Sequence, residues 1–161
     1  MKTDPYEMTE LEAKALASTL LHMRRVAELL MEAAKELLDR AANHDLSKLS
    51  EEEFDSFVEA TPALRGLTYG SDEYIATLRR IKPAIQHHYT KNSHHPEHHK
   101  KGVDEMTLFD LMEMFLDWKA AGERHEDGNI YKSIEHNAKR FNLSPQLVNI
   151  LKTTAEELFA Y

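Results

Sequence analysis

The sequence predicts an all-α fold, a single-domain helical bundle of about six to seven helices spanning residues 1–161. Three observations predict it. Capping pairs recur along the chain, apolar residues after them return every three or four positions, and no stretch alternates apolar and polar as a half-buried strand does. At 161 residues the chain is long enough to bury a core without disulfides or a structural metal clip, so a metal, if held, is expected to serve function rather than folding.

Thr9 with Glu12 opens the first helix, in which Leu11, Ala15, Ser18, His22, Val26, Leu29, Ala33 and Leu37 follow at helical steps to roughly residue 41. Ala41-Ala42-Asn43 offers its end, because Asn tolerates the left-handed conformation that closes helices. Ser50 with Glu53 caps a second, shorter helix. Thr61-Pro62 and Gly66 to Gly70 mark a connection. Ser71 opens a helix to about Tyr89 that has to kink at Pro83. From Asn92 to Gly102 the periodicity vanishes and a loop or irregular turn is expected. Thr107 with Asp110 starts the next helix, ending near Gly122, and Glu123 to Gly128 is a charged loop. Asn129 to Phe141 and Pro145 to about Phe159 are the last two helices, the latter with Ser144 as cap and Pro145 at its first position.

Composition removes several classes of function. The formal charge of -8 disfavours stable nucleic-acid binding, which needs a surplus of Lys and Arg. No cysteine is present, which rules out disulfides, thiolate zinc sites and cysteine nucleophiles. The five scattered glycines form neither a Walker loop nor a dinucleotide fingerprint, and no G-x-S-x-G elbow occurs. No signal peptide and no apolar run near the ~20 residues of a membrane span is evident, so a cytoplasmic protein without a membrane partner is expected.

What stands out is imidazole. Six of the ten histidines lie between His87 and His99, and an isolated His44-Asp45 pair precedes them by about forty residues. With thiolates absent, this points to a metal held by nitrogen and oxygen ligands. His22 falls on the apolar stripe of the first helix, so its ring is expected to face a core, as a ligand or as a hydrogen-bonded core histidine. His22 and His44 would be about 33 Å apart on one unbroken helix, so they can share an ion only if the chain turns between them. On the helix from Ser71 the inward line Ile75, Leu78, Ile85 reaches His88 and leaves His87 rotated away. Periodicity cannot rank His94, His95, His98 and His99, which also suit a solvated metal-scavenging patch. Asp110, Glu113 and Asp117 share one stripe at i, i+3 and i+7, the spacing of a solvent face and equally of a carboxylate seam. Asn137 lies on an otherwise apolar line with Ile130, Ile134 and Phe141, either for ligand contact or for a helix-helix hydrogen bond.

In order, His22, His44-Asp45, His88, His94-His95 and Asp117 resemble the H…HD…H…H…D pattern of the HD-domain superfamily of metal-dependent phosphohydrolases. His44-Asp45-Leu46-Ser47-Lys48 looks like the HD-x-x-K element of its two-metal branch. More closely, HDLSKLSEEEF, H-x-x-x-N-x-H-H over His88 to His95 and EMFLDW from Glu113 to Trp118 resemble a small, functionally uncharacterised family of phage and bacterial proteins. The resemblance implies an HD-domain-like bundle with His22, His44, Asp45 and Asp117 around one divalent ion. Asp45 would bridge to a second, held by His88 and by His94, His95 or both. It implies one or two ions of Mn, Fe, Co, Ni or Zn, with Mg also admitted, and metal-activated water as nucleophile on a small phosphorylated, nucleotide-like substrate. Lys48 would steady the phosphate, Glu113 would act as general acid/base or orient a ligand ring, and Asn92 and Asn137 would contact the substrate. Two alternatives share these residues: an HD-type di-iron oxygenase, which activates oxygen instead of water, and a non-enzymatic metal-binding interaction protein with His94 to His99 as a peripheral chelator.

Overall fold

The structure, a computed structural model, describes residues 8–67, 71–124 and 128–159. Among them are seven α-helices and no strand, so the fold is all-α as the sequence predicts. The backbone divides into two compact units, Met1–Ala42 and Asn43–Tyr161. No helix among the described residues is long and apolar enough to cross a membrane.

The first unit is helix α1, Glu10–Asn43, less its last residue. Its capping box forms as expected, with Thr9 N–H donating to Glu12 Oε2 at 2.8 Å and Glu12 N–H to Thr9 Oγ1 at 3.2 Å. Pairs four apart, Arg24–Glu28 and Glu36–Arg40, lie along it at 2.9 and 2.8 Å. None of its residues is buried within this unit, which is a single helix and has no core of its own.

The second unit begins where the chain turns. The expected left-handed residue is Asn43, but Asp45 takes that conformation (φ 58°, ψ 16°), which a short polar side chain tolerates best after glycine. A 3-10 turn, Leu46–Leu49, follows, and α2 runs Phe54–Arg65. The expected Ser50/Glu53 capping box does not form. Glu53 precedes the helix without a side-chain cap and turns fully inward. Its spacing explains this: Glu53, Phe57 and Ala60 fall on one helical line, and Ala60 is buried too. Pro62, expected in the connection, lies inside the last turn of α2. Of the Gly66 to Gly70 connection, Thr68 to Gly70 lie outside the described residues.

Beyond Ser71, whose Oγ accepts from Tyr74 N–H at 3.2 Å, the expected kinked helix is two helices, α3 (Asp72–Arg80) and α4 (Lys82–Lys91), broken at Ile81. Pro83 sits in the first turn of α4, where its missing N–H costs nothing, rather than mid-helix, where its ring would meet a carbonyl one turn back. The His-rich segment holds two 3-10 turns, Pro96–His98 and Gly102–Glu105. Helix α5, Leu108–Gly122, starts at the expected Thr107/Asp110 capping box. In the charged loop after it, His125 to Asp127 lie outside the described residues. Helices α6 (Ile130–Arg140) and α7 (Pro145–Phe159) close the chain, with Asn129 and Ser144 accepting from the first-turn N–H groups. Phe115 of α5, Ile130 and Ile134 of α6, and Leu151 and Ala155 of α7 form the buried core of this unit.

Candidate metal centre

Four segments of the second unit bring imidazoles and carboxylates together: the turn after α1, the α4 end, the His-rich loop and α5. Three overlapping groups could hold a metal ion: Asp45, His88, His94 and His95; His44, Asp45 and Asp117; and His44, His94 and Glu113. Asp45 belongs to two of them. Its Oδ1 faces His88 Nε2 at 3.2 Å and His94 Nε2 at 3.5 Å, while its Oδ2 lies 3.5 Å from His44 Nε2 and 2.5 Å from Lys48 Nζ. Asp117 Oδ1 is 3.8 Å from His44 Nε2. His95 Nε2 is 3.0 Å from His88 Nε2, so His94 and His95 both face the cluster.

The rings are oriented from behind. His44 Nδ1 donates to Glu113 Oε1 at 2.8 Å, and His94 Nδ1 meets the same oxygen at 3.0 Å. His88 Nδ1 faces Glu53 Oε2 at 2.9 Å. A carboxylate oxygen only accepts, so each Nδ1 so paired carries hydrogen and Nε2 is the atom left to bind, the arrangement that typically orients metal-ligating histidines. Two ligands on one tetrahedral ion at ~2.1 Å would be about 3.4 Å apart. The Asp45 contacts to His88, His94 and His44 match that span. Glu113, at 2.8 and 3.0 Å, is at hydrogen-bond range and fits an orienting partner. Burial makes the same point, since Asp45 Oδ1 and His94 Nε2 are buried without a hydrogen-bond partner. Two such atoms 3.5 Å apart leave a place for a cation between them.

Electrostatics prepares the ligands unequally. Burial, then the neighbouring charges of His94 and His88, hold His95 down to about 3. His94 is also lowered, mainly by burial, so both rings are neutral near pH 7. The Asp117 carboxylate raises His44 to about 9, against burial and with help from Glu113. Burial pushes Asp45 up, but His88 and Lys48 outweigh it and hold the carboxyl well below its usual range. Burial likewise opposes ionisation of Asp117, and the His44 ring overcomes it.

Sequence reasoning missed Glu53, which is fully buried and also accepts from His87 Nδ1 at 2.7 Å. The helical line it shares with Phe57 and Ala60 was the available signal. Asp110 caps α5 as expected, and what sequence reasoning missed is that it is buried and also accepts from Ser93 Oγ at 2.5 Å. Asn92 Nδ2 donates to Ser47 Oγ at 2.7 Å and to the His88 carbonyl at 2.8 Å, tying the 3-10 turn after Asp45 to α4. His98 Nδ1 and His99 Nε2 lie 2.9 and 2.8 Å from the backbone carbonyls of Tyr89 and Ser93, so these rings hold the loop in place and do not form a surface chelator with His94 and His95. His22 belongs to the first unit, and none of the three ligand groups among the described residues includes it.

Lys48 also reaches the wall of a cavity of about 650 Å³, with Phe57, Trp118 and Asn137. Phe57 touches both cavity and cluster: its ring meets His88 edge-on at 5.7 Å and lies under Lys48 Nζ at 5.2 Å. Asn137 is buried, with Nδ2 donating to the Ser133 carbonyl at 3.1 Å and Oδ1 lacking a partner.

A family model covers residues 11–157, which include every candidate residue from His22 to Asn137. The chain belongs to DUF5662, a family of unknown function. No curated protein and no solved structure matches it. The DUF5662 description names no activity, so the chemistry rests on the site.

Proposed function

We propose that this protein is a metal-dependent phosphohydrolase acting on a small phosphorylated, nucleotide-like substrate. The observation that carries the reading is the sharing of Lys48 between the histidine-aspartate cluster and a cavity with cationic walls. His88, His94 and His95 with Asp45 suit Zn, Ni, Co or Fe, while His44, Asp45 and Asp117 form a more oxygen-rich group that also suits Mn. A bound divalent ion supplies Lewis-acid polarisation of a phosphoryl oxygen and activation of water. The chain's own residues do the rest. Glu113 and Glu53 hold the rings, Lys48 leaves Asp45 to meet the phosphate, and Asn137 offers an unmatched polar atom to the substrate.

The cationic wall favours phosphate chemistry over the oxygenase reading, and inward-facing rings favour an internal site over a peripheral chelator. Elemental analysis of untagged protein, followed by a phosphate-release screen over nucleotides with each divalent ion, tests the proposal. Asp45→Asn is the companion variant, since Asn also tolerates the left-handed backbone while removing the shared charge. It should lose bound metal and turnover with helicity unchanged. Iron content with oxygen consumption and no phosphate release would replace this reading by the oxygenase one.

A further inference from the structure

We infer that the cavity beside the cluster is a second anion site, which selects substrates carrying a second phosphate remote from the one presented to the metal. This rests on the phosphohydrolase reading above and adds the substrate class.

The charge of the wall is the first observation. Acidic residues outnumber basic ones 28 to 20 in the chain, yet the charged residues lining this cavity are Lys48, Arg65, Arg124 and Lys132, with no carboxylate among the described lining residues. Such a concentration of one sign in a concave site draws in anions that the rest of the acidic surface repels. Arg65 and Arg124 form no ion pair among the described residues, so their guanidinium forks can take a phosphate in bidentate fashion.

The second observation is independent of charge. Asn129, Lys132, Ser133, His136 and Asn137 line the cavity at i, i+3, i+4, i+7 and i+8, a continuous polar face along α6 that borders the line of its core residues Ile130 and Ile134. At the inner edge of that face Asn137 is 3% exposed, and its side-chain oxygen has no hydrogen-bond partner. A buried polar atom is seldom left unmatched unless a ligand or water completes it. A hydroxyl or ring N–H of the molecule joining the two phosphates would do so.

Size and placement decide between one anion and two. A volume of about 650 Å³ lies within the usual range for organic ligands and is far more than one phosphate fills. Lys48 is the lining cation tied to the cluster, through Asp45. Arg65 ends α2 and Arg124 follows α5, and no ligand group includes a residue of either place. A phosphate at Lys48 therefore leaves the arginines for another.

Calorimetric titration of the full-length protein, metal-loaded and metal-free, with adenosine, adenosine 5′-monophosphate and adenosine 3′,5′-bisphosphate tests this. The bisphosphate should bind at least about tenfold tighter than the monophosphate, the gain expected of one charge-assisted contact, and should keep its advantage without metal. Arg65→Ala with Arg124→Ala should abolish the advantage while leaving metal content unchanged, and Arg65→Lys with Arg124→Lys should restore part of it. Equal affinities for the two nucleotides, or an advantage that survives the double variant, would overturn the inference. The two proposals fail separately. No phosphate release with any ion, beside a persisting bisphosphate preference, removes the reaction and keeps the pocket. Release from mono- and bisphosphates with equal kcat/KM removes the pocket and keeps the reaction.

Discussion

Asp45 faces two ligand groups from a left-handed backbone, and each of its carboxylate oxygens meets a different set of rings. Such a turn is only weakly encoded, which is why Asn43, the better-known helix terminator, was the natural expectation. His88 was legible because an apolar line on its own helix led to it. Glu53 was not, because a Glu three residues after a Ser reads as a cap, and only burial distinguishes the two uses. Glu53→Gln keeps the shape but loses one of the two oxygens that orient His87 and His88. Metal affinity should fall about 10- to 100-fold with helicity retained, as a chromogenic chelator in competition would read. An unchanged affinity would mean that Glu53 only fills space. His44 gives the pH dependence. Its value in the fold, about 9, exceeds the ordinary 6.5, so its proton stabilises the metal-free fold fully below about 6.5, and that contribution is lost as pH rises through 9. A metal must displace the same proton, so affinity should climb with pH and level off above about 9. Titrations from pH 6 to 10 in which affinity stays flat would remove His44 from the ligand set.

Helices were more legible than their junctions. The caps at Thr9, Ser71, Thr107 and Ser144 are side-chain chemistry written locally, and each forms. The break at Ile81 and the continuation of α2 through Pro62 depend on what packs outside the helix, which periodicity does not record. The stripe Asp110, Glu113, Asp117 shows the same limit. Its spacing is identical for a solvent face and a site-facing seam, and here Asp110 is buried while Glu113 and Asp117 sit at the cluster. Asp110 links two elements, since one oxygen caps α5 and the other takes the Ser93 hydroxyl of the loop that carries His94 and His95. Asp110→Ala should cost about 2–3 kcal/mol, a lost cap plus a stranded buried hydroxyl, measured by urea unfolding. It should also weaken metal binding, because the loop loses its tether to α5. A loss under about 0.5 kcal/mol, the level of an ordinary surface change, would show that the loop is held elsewhere.

Across the whole molecule, the second unit gathers Asp45, Glu113, Asp117 and Glu53 about one group of imidazoles, inside a chain of charge -8. Asp45 already opposes ionisation of Asp117, so without a cation the carboxylates repel across the cluster. An ion bound only by the folded state adds RT ln(1 + [L]/Kd), about 2.7 kcal/mol at a hundred times Kd and about 4.1 kcal/mol at a thousand. For a chain of this length the larger figure corresponds to a Tm shift of roughly 10 °C. Scanning calorimetry before and after chelation should show that drop, and readdition should restore it. Zn should restore more than Co, and Co more than Mn, because imidazole-rich sites follow the order of transition-metal affinity, while Mg, which prefers oxygen and gives up water reluctantly, should restore little. The order matters more than the size of the shift, because chelation can perturb a protein in other ways whereas a ranked recovery reports the ligands. Recovery by Mg equal to that by Zn would require a centre of carboxylates, with His88, His94 and His95 as bystanders.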